Sequence, residues 1–79
     1  MIGDVITHLV SGIVENPDDV QVEAKETRRG SVYRVHVNPS DLGKVIGRQG
    51  RTATAIRTVV SAVAGHEKPR IDFVDVDRD

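Results

Sequence analysis

Hydrophobic residues recur along the chain with two different periods, and each change of period marks a new element. The first apolar residues follow one another at steps of three and four, which is typical of one face of an amphipathic helix. They are Ile2, Val5, Ile6, Leu9, Val10, Ile13 and Val14. Asn16 and Pro17 are expected to end this helix. Residues 20–25 then alternate between apolar and polar, which predicts a strand with one buried face.

The middle of the chain predicts a hairpin and a short helix. The turn is expected at residues 28–31, and residues 33–37 alternate in a second strand, antiparallel to the first. An Asn-Pro pair interrupts that strand. Ser40 or Asp41 is expected to cap the start of the short helix, and Gly47 is expected to end it. The apolar face of this helix is formed by Leu42, Val45 and Ile46.

The last third of the chain predicts a longer helix and a final strand. Helical periodicity resumes after Gly50 and extends over residues 51–64. The large apolar residues on one side of this helix are Ile56, Val59, Val60 and Val63. Residues 70–76 are β-prone and predict a strand, although the alternation slips between Phe73 and Val74 and leaves its facing open.

The order of these elements is helix, strand, strand, helix, helix, strand. It predicts an α+β fold in which three helices cover one face of a three-stranded mixed sheet. The 79 residues are expected to form one domain, spanning 1–79. If the last strand returns beside the second strand, the two are parallel and the crossover is right-handed.

The composition excludes several kinds of site. The chain has no cysteine, so disulfides, thiolate metal sites and cysteine nucleophiles are ruled out. Its histidines, His8, His36 and His66, have no metal-ligand spacing, and we expect neither a metal nor another cofactor. A domain this small offers little room for a closed active site, so we do not expect an enzyme. The start lacks a signal-peptide pattern and no apolar run approaches the roughly 20 residues of a membrane span, so a cytoplasmic protein is expected.

Charge is distributed unevenly, and this distribution is more informative than the net charge of −1. Residues 41–58 contain one acidic residue and four basic residues, whereas the rest of the chain is acidic in balance. The basic residues are Lys44, Arg48, Arg51 and Arg57. This pattern predicts one local anion-binding segment rather than indiscriminate binding of nucleic acid.

The cationic segment is centred on the loop Gly47-Arg48-Gln49-Gly50, which joins the second and third predicted helices. Glycines at both ends allow a sharp turn and the close approach of a ligand's backbone. Because the third helix starts here, its free N–H groups and positive dipole end favour a phosphate. The glycine spacing matches neither the Walker A motif nor the Rossmann fingerprint, which favours a polymer backbone over a free nucleotide.

Residues 45–51, Val-Ile-Gly-Arg-Gln-Gly-Arg, resemble the I-G-x-x-G core of KH domains, which also lies between two helices. The order of elements on both sides resembles the type II arrangement of that family. With residues 41–44 and 55–57 around the core, nearly the whole chain is similar to the small bacterial single-KH proteins of the KhpA group. The resemblance implies a protein that clamps about four nucleotides of single-stranded RNA with this loop.

The resemblance also implies roles for individual residues. The residues expected at the RNA backbone are Gly47, Arg48, Gln49, Gly50, Lys44 and Arg51. Those expected on the apolar floor of the groove are Val45, Ile46 and, as a further candidate, Ile56. Arg34 or His36 would line the far wall, while Arg28 and Arg29 are expected to be solvated residues of the hairpin turn.

A protein interface is implied as well, because KhpA-like proteins form homodimers and pair with a larger Jag-type KH protein, KhpB. The third predicted helix is apolar around more than one face, and exposed apolar surface often marks an interface. The predicted interface residues are Thr58, Val59, Ala62 and Val63. The biological role that the resemblance implies is post-transcriptional regulation linked to cell growth and cell shape, or RNA chaperone activity.

Two other functions fit part of the pattern. Two helices joined by a glycine turn also describe a helix-turn-helix DNA-binding domain. The start of the third helix, however, offers only Arg51, Thr52 and Thr54 for reading bases before apolar residues follow. The other alternative is a protein-interaction adaptor with an inactive loop, and the absence of acidic residues from the loop argues against it.

Overall fold

The computed structural model describes residues 2–65 and 69–75. Within these residues the chain forms three α-helices and one three-stranded sheet, in the predicted order. The bounds are α1 Ile2–Ser11, β1 Gln21–Thr27, β2 Gly30–Val37, α2 Pro39–Ile46, α3 Arg51–Ala64 and β3 Arg70–Asp75. Val76, which the sequence predicts in the last strand, and His66 lie outside the described residues.

The sheet is mixed, as predicted. Its strand order is β1-β2-β3, with β1 and β2 antiparallel and β2 and β3 parallel. The hairpin places Gln21 opposite His36, and the crossover through α2 and α3 places Val32 opposite Arg70. β3 is therefore an edge strand, with one side not paired to another strand.

The hydrophobic core lies between one face of the sheet and the three helices. Val35 and Val37 of β2 and Ile71 of β3 face the helices and are at most 2% exposed. The helices contribute apolar residues, among them Ile6, Val10, Val45, Ile56 and Val60. Phe73 packs against this cluster as well, so Val74 faces away from the helices. No helix in the described part of the chain is long and apolar enough to cross a membrane.

α1 is shorter than predicted. The helix ends at Ser11 rather than near Val14. Gly12 is a poor helix former, and the N–H of Ile13 donates to the carbonyl of Val10 at 3.0 Å in a tighter turn. Val14 still reaches the core, whereas Ile13 is 37% exposed. The segment after α1 therefore adds one side chain to the core and leaves another at the surface.

The apolar side of α3 is only partly buried. Val59 and Val63, which share that side with Ile56 and Val60 and are also predicted interface residues, are 45% and 49% exposed. The buried residues of this helix are Ala53, Ile56 and Val60. Because α3 is apolar around more of its circumference than one stripe, periodicity alone does not decide which apolar side chains lie inside.

Two polar side chains at the start of α2 have roles that differ from the predicted ones. Asn38, rather than Ser40 or Asp41, is the N-cap, and its side-chain oxygen accepts from the backbone N–H of Ser40 at 2.9 Å. Asp41 is fully buried. Its carboxylate accepts from the backbone N–H groups of Glu15 and Asn16 at 3.1 and 3.0 Å and from Asn16 Nδ2 at 3.0 Å. Asp41 therefore holds α2 against the segment that follows α1.

The ionised form of Asp41 is the one that the fold stabilises. Burial by itself raises the pKa of Asp41, because burial disfavours the charged form. The hydrogen bonds from Asn16 and Glu15 and the nearby ammonium of Lys44 outweigh burial, so the pKa of Asp41 lies below its ordinary value of 3.8. A carboxyl group with a lowered pKa contributes stability that is complete above the unfolded pKa and is lost as the pH falls through the folded pKa.

We expect Asp41→Asn to lower the midpoint of thermal unfolding at neutral pH, because asparagine turns an N–H donor toward the donors that the carboxylate now accepts from. The loss of wild-type stability below about pH 3.8 should be smaller in this variant. Circular dichroism melts from pH 7 down to pH 3 measure both effects. Asp18→Asn, which removes an exposed carboxylate, is the control. Equal midpoints for Asp41→Asn and wild type at neutral pH would contradict this role.

Candidate nucleic-acid interface

The loop between α2 and α3 has an unusual backbone conformation. Gly47 and Gly50 have φ angles of 77° and 76°, and Gln49 between them has a φ of 57°. Gln49 is the only residue other than glycine with a positive φ among those described. Left-handed backbone is unfavourable for a side chain such as glutamine and persists where the surrounding structure enforces it. The loop is therefore held in one shape by the two helices that it joins.

Gly47 is required for a second reason, which is the close approach of α2 to α3. A Cβ atom added to Gly47 would overlap Thr52 Oγ1 and would lie 2.7 Å from Thr52 Cβ and 2.8 Å from the Thr52 backbone nitrogen. At Gly50 an added Cβ would meet nothing within 4 Å. Gly50 is therefore needed for its backbone angles alone, whereas Gly47 also brings the two helices into direct contact.

The first turn of α3 is open to an anion. Gly50 is its N-cap residue and provides no side-chain hydrogen bond to the N–H groups of that turn. Arg48 and Gln49 are exposed in the loop, and Arg51 Nη2 donates to Gln49 Oε1 at 3.4 Å. The N–H of Arg51 already donates to the carbonyl oxygen of Arg48, so the helix dipole and the two exposed arginines are the features that favour an anion such as phosphate here.

Lys44, predicted to flank the bound phosphate, is engaged by acidic groups on the α1 side. Its Nζ lies 3.6 Å from Asp41 Oδ1 and 3.7 Å from Glu15 Oε2. Because two carboxylates lie near the ammonium group of Lys44, they offset its positive charge and weaken its attraction for an anionic ligand. Arg48 and Arg51 therefore supply most of the cationic field at the loop.

A groove of about 450 Å³ opens beside the loop, between α3 and the free edge of β3. Its lining residues come from α2, α3, β2, β3 and the loop. They are Arg34, Ile46, Gly50, Ala53, Arg57, Arg70, Asp72, Phe73 and Val74. A chain bound at the loop would therefore have an adjoining surface in which its side groups lie between a helix and a strand edge.

Arg57 joins the two walls of this groove. Its Nε and Nη2 atoms donate to the carbonyl oxygen of Ile71 at 3.2 and 3.0 Å. Its guanidinium also lies 5.4 Å from the centre of the Phe73 ring, within the range of a cation–π interaction. The sequence pattern identifies Arg57 only as a charged residue and does not indicate Ala53 and Phe73. The parallel return of β3 beside β2 is what places Phe73 near the loop.

The three residues predicted on the apolar floor of the groove lie in three different environments. Ile46 lines the groove and is 37% exposed. Val45 is fully buried in the core beneath it. Ile56 is 4% exposed and reaches the surface on the side of α3 that faces α1. Both candidates for the far wall lie on the face of the sheet away from the helices, because they alternate with the buried Val35 and Val37. Arg34 lines the groove, whereas His36 Nε2 lies 3.7 Å from Glu23 Oε2.

A second, apolar surface lies on the opposite flank of α3, where a furrow separates this helix from α1. The residues that line this furrow are Leu9, Ile13, Thr52, Ala55, Ile56 and Val59. Val59 and Val63 are about half exposed, and the predicted interface residues Thr58 and Ala62 are exposed too. One helix thus presents its groove residues on one side and this apolar surface on the other.

The α-β-β-α-α-β order, the mixed sheet and a glycine-bounded loop between two helices define a KH domain of type II. A family model described as "KhpA/KhpB, KH domain" matches residues 3–76. The chain therefore belongs to the KhpA/KhpB family of KH domains.

Several curated relatives are similar over almost the full length, each named "RNA-binding protein KhpA". The relative from Streptomyces coelicolor is 60% identical over 98% of this chain and 96% of its own length. That from Mycobacterium tuberculosis is 57% identical over 95% and 92%, respectively. That from Lactiplantibacillus plantarum is 49% identical over 89% and 85%. A comparison with solved structures found no match.

We expect Gly47→Ala to destabilise the protein by about 1–3 kcal/mol, because alanine would be strained at this φ and its Cβ would collide with Thr52. Gly43→Ala is the matched control, since Gly43 lies in α2 and an added Cβ there meets nothing within 4 Å. Helix propensity predicts that this control gains about 0.5–1 kcal/mol. Denaturant unfolding measures both changes, and a Gly47→Ala variant as stable as wild type would contradict the contact described here.

Proposed function

We propose that this protein binds single-stranded RNA, with the RNA backbone held by the loop of residues 47–50 and the bases lying in the adjoining groove. The observation that supports the proposal most directly is the uncapped first turn of α3 between Arg48 and Arg51. The names of the curated relatives, which are RNA-binding proteins, agree with it. The proposed domain is a single KH domain over residues 1–79.

In the proposed complex, one phosphate lies at the N-terminus of α3, where the helix dipole favours an anion, and Arg48 neutralises it from the loop. The neighbouring base lies over Ile46, and Arg57 with Phe73 forms the end of its pocket. No second aromatic residue lines the groove, so base contacts are aliphatic and polar rather than a stacking platform. The affinity for a short strand is expected to be modest.

Two features of α3 disfavour the helix-turn-helix alternative. A recognition helix must present exposed side chains to a major groove. In this helix, Ala53 is 3% exposed and Arg57 is bonded to the β3 edge. We therefore propose single-stranded RNA rather than duplex DNA as the ligand, and a role in post-transcriptional regulation or as an RNA chaperone follows from that ligand.

We expect the double variant Arg48→Asp with Gln49→Asp to bind single-stranded RNA about tenfold more weakly or worse, because it replaces a phosphate contact by repulsion. Aspartate tolerates positive φ better than most residues, so the loop should keep its shape. Fluorescence anisotropy with a random-sequence RNA pool measures the affinity, and circular dichroism checks folding. With roughly three phosphates neutralised, the wild-type log–log salt slope should be about −2.

The control for this variant is Gln21→Asp with Lys25→Asp, which changes the net charge equally on exposed positions of β1. It should retain most of the wild-type affinity. Unchanged RNA binding by a folded loop variant would refute the proposed site. A wild-type preference for duplex DNA would favour the helix-turn-helix alternative, and no binding of either nucleic acid would favour the adaptor.

We also propose that the apolar surface of α3 pairs with a second copy of this chain, or with the KH domain of a KhpB protein. The description of the matching family model names both proteins. Val59, Val63 and the neighbouring Ile13 are each more than a third exposed, and together with the α1–α3 furrow they form one continuous apolar surface. Because this surface lies opposite the groove on α3, a partner bound there would leave the loop open to RNA.

We expect Val59→Asp to convert a homodimer to a monomer, because it would bury a carboxylate in an apolar interface. Ala62→Asp should act in the same direction. The monomer itself should stay folded, since both positions are exposed in it. Size-exclusion chromatography with light scattering measures the mass, and Ser61→Asp, on the solvent side of the same helix, is the control. A Val59→Asp protein that stays dimeric would refute this interface, and a monomeric wild type would refute the homodimer and leave the KhpB domain as the proposed partner.

A further inference from the structure

The groove beside the loop continues into a second cavity at the hairpin end of the sheet. This second cavity has a volume of about 430 Å³ and is lined by residues 27–32 and Arg70. Arg70 also lines the groove, so the two cavities meet at the start of β3. Val32 lies opposite Arg70, and the hairpin turn is three residues from Val32, or about 10 Å along the strand. The second cavity is therefore adjacent to the proposed RNA groove.

The turn that forms this cavity is held by its own hydrogen bonds. Thr27 Oγ1 donates to the carbonyl oxygen of Gly30 at 2.8 Å and accepts from the backbone N–H of Arg29 at 3.2 Å. Arg28 and Arg29 are both exposed. No carboxylate within the described ranges 2–65 and 69–75 forms an ion pair with either of them. Two unpaired arginines thus project from a tight, ordered turn.

Positive charge is concentrated along the groove and the second cavity, although the chain as a whole is slightly acidic. The charged residues that line the two cavities are Arg28, Arg29, Arg34, Arg57, Arg70 and Asp72. Asp72 is engaged by Arg70, whose Nε lies 3.2 Å from Asp72 Oδ1. Five arginines and one aspartate therefore line one continuous surface on a chain whose net charge is −1, which favours a polyanion lying along it.

We propose that an RNA strand longer than the about four nucleotides of a KH clamp continues from the groove, past Arg70, to the hairpin turn, where Arg28 and Arg29 bind its phosphates. This inference rests on the proposed function and extends it: the ligand is a longer single strand, and the hairpin turn is a second backbone-binding site. The turn contacts carry no base specificity, because they are made to phosphate.

The test uses two random-sequence RNA pools, one of four nucleotides and one of about eight, twice the length that a KH clamp holds. Backbone amide chemical shifts of the whole chain are followed during titration. We expect the short pool to shift amides of residues 46–53 and 71–74, and the longer pool to shift those of residues 27–32 as well. In Arg28→Gln with Arg29→Gln, affinity for the longer pool should fall on the order of tenfold, and the salt slope should become shallower by about 1.4.

The outcomes separate this inference from the function on which it rests. If the short pool shifts the loop amides but the longer pool leaves residues 27–32 unchanged, the RNA clamp stands and the hairpin site is refuted. If neither pool shifts the loop amides, the proposed function itself fails. Lys25→Gln is the control, because Lys25 is an exposed cation outside both cavities, and the same affinity loss in this variant would mean a non-specific charge effect and refute the site.

Discussion

The position of the short helix α2 is the constraint on which the rest of the structure depends, and the carboxylate of Asp41 is the interaction that sets it. A helix of eight residues has little stability of its own. Buried Asp41 fastens the start of α2 to the backbone after α1, and Val45 anchors the next turn in the core. At the other end, Gly47 contacts Thr52 of α3. The position of the loop that follows α2 depends on these three attachments, so Asp41 contributes to the geometry of the candidate site from outside it.

α3 lies between two surfaces, the groove on one flank and the apolar furrow on the opposite flank. Its buried stripe of Ala53, Ile56 and Val60 packs on the sheet, which leaves one flank for the groove and the opposite flank for the apolar furrow. Arg57 ties the groove flank to the edge of β3 through the carbonyl of Ile71. That bond also satisfies a backbone acceptor on an edge strand, and an edge without such cover is open to pairing with other chains. Arg57 therefore lines the groove and also covers part of the exposed edge of β3, which limits the pairing of that edge with other chains.

Local signals in the sequence predicted the elements well, and tertiary contacts account for what they missed. The bounds of α3, residues 51–64, were predicted because glycines lie at both ends. The sequence predicts Ser40 or Asp41 as the N-cap of α2, whereas the cap is Asn38, which is an equally good capping residue, and only the fold shows that Asp41 is needed elsewhere. Periodicity groups Val59 and Val63 with Ile56 and Val60, because it does not distinguish buried apolar positions of a helix from exposed ones. Contacts such as Arg57 to Ile71 join residues 14 apart along the chain, and no pattern of spacing reports them.

The whole chain is acidic in balance, so the places where its arginines lie are informative about the kind of ligand that it can bind. A protein that is basic throughout attracts any polyanion, and its binding is mainly non-specific. Here the net charge is −1 and the arginines lie along the loop, the β3 edge and the hairpin turn. A rigid duplex would bring its phosphates against the acidic remainder of the surface as well, whereas a flexible single strand can follow the arginines alone. Gln49 and its neighbouring glycines have positive φ angles in the unbound chain. In the proposed complex, a strand would therefore meet a loop that already has this conformation, which would reduce the ordering cost of binding.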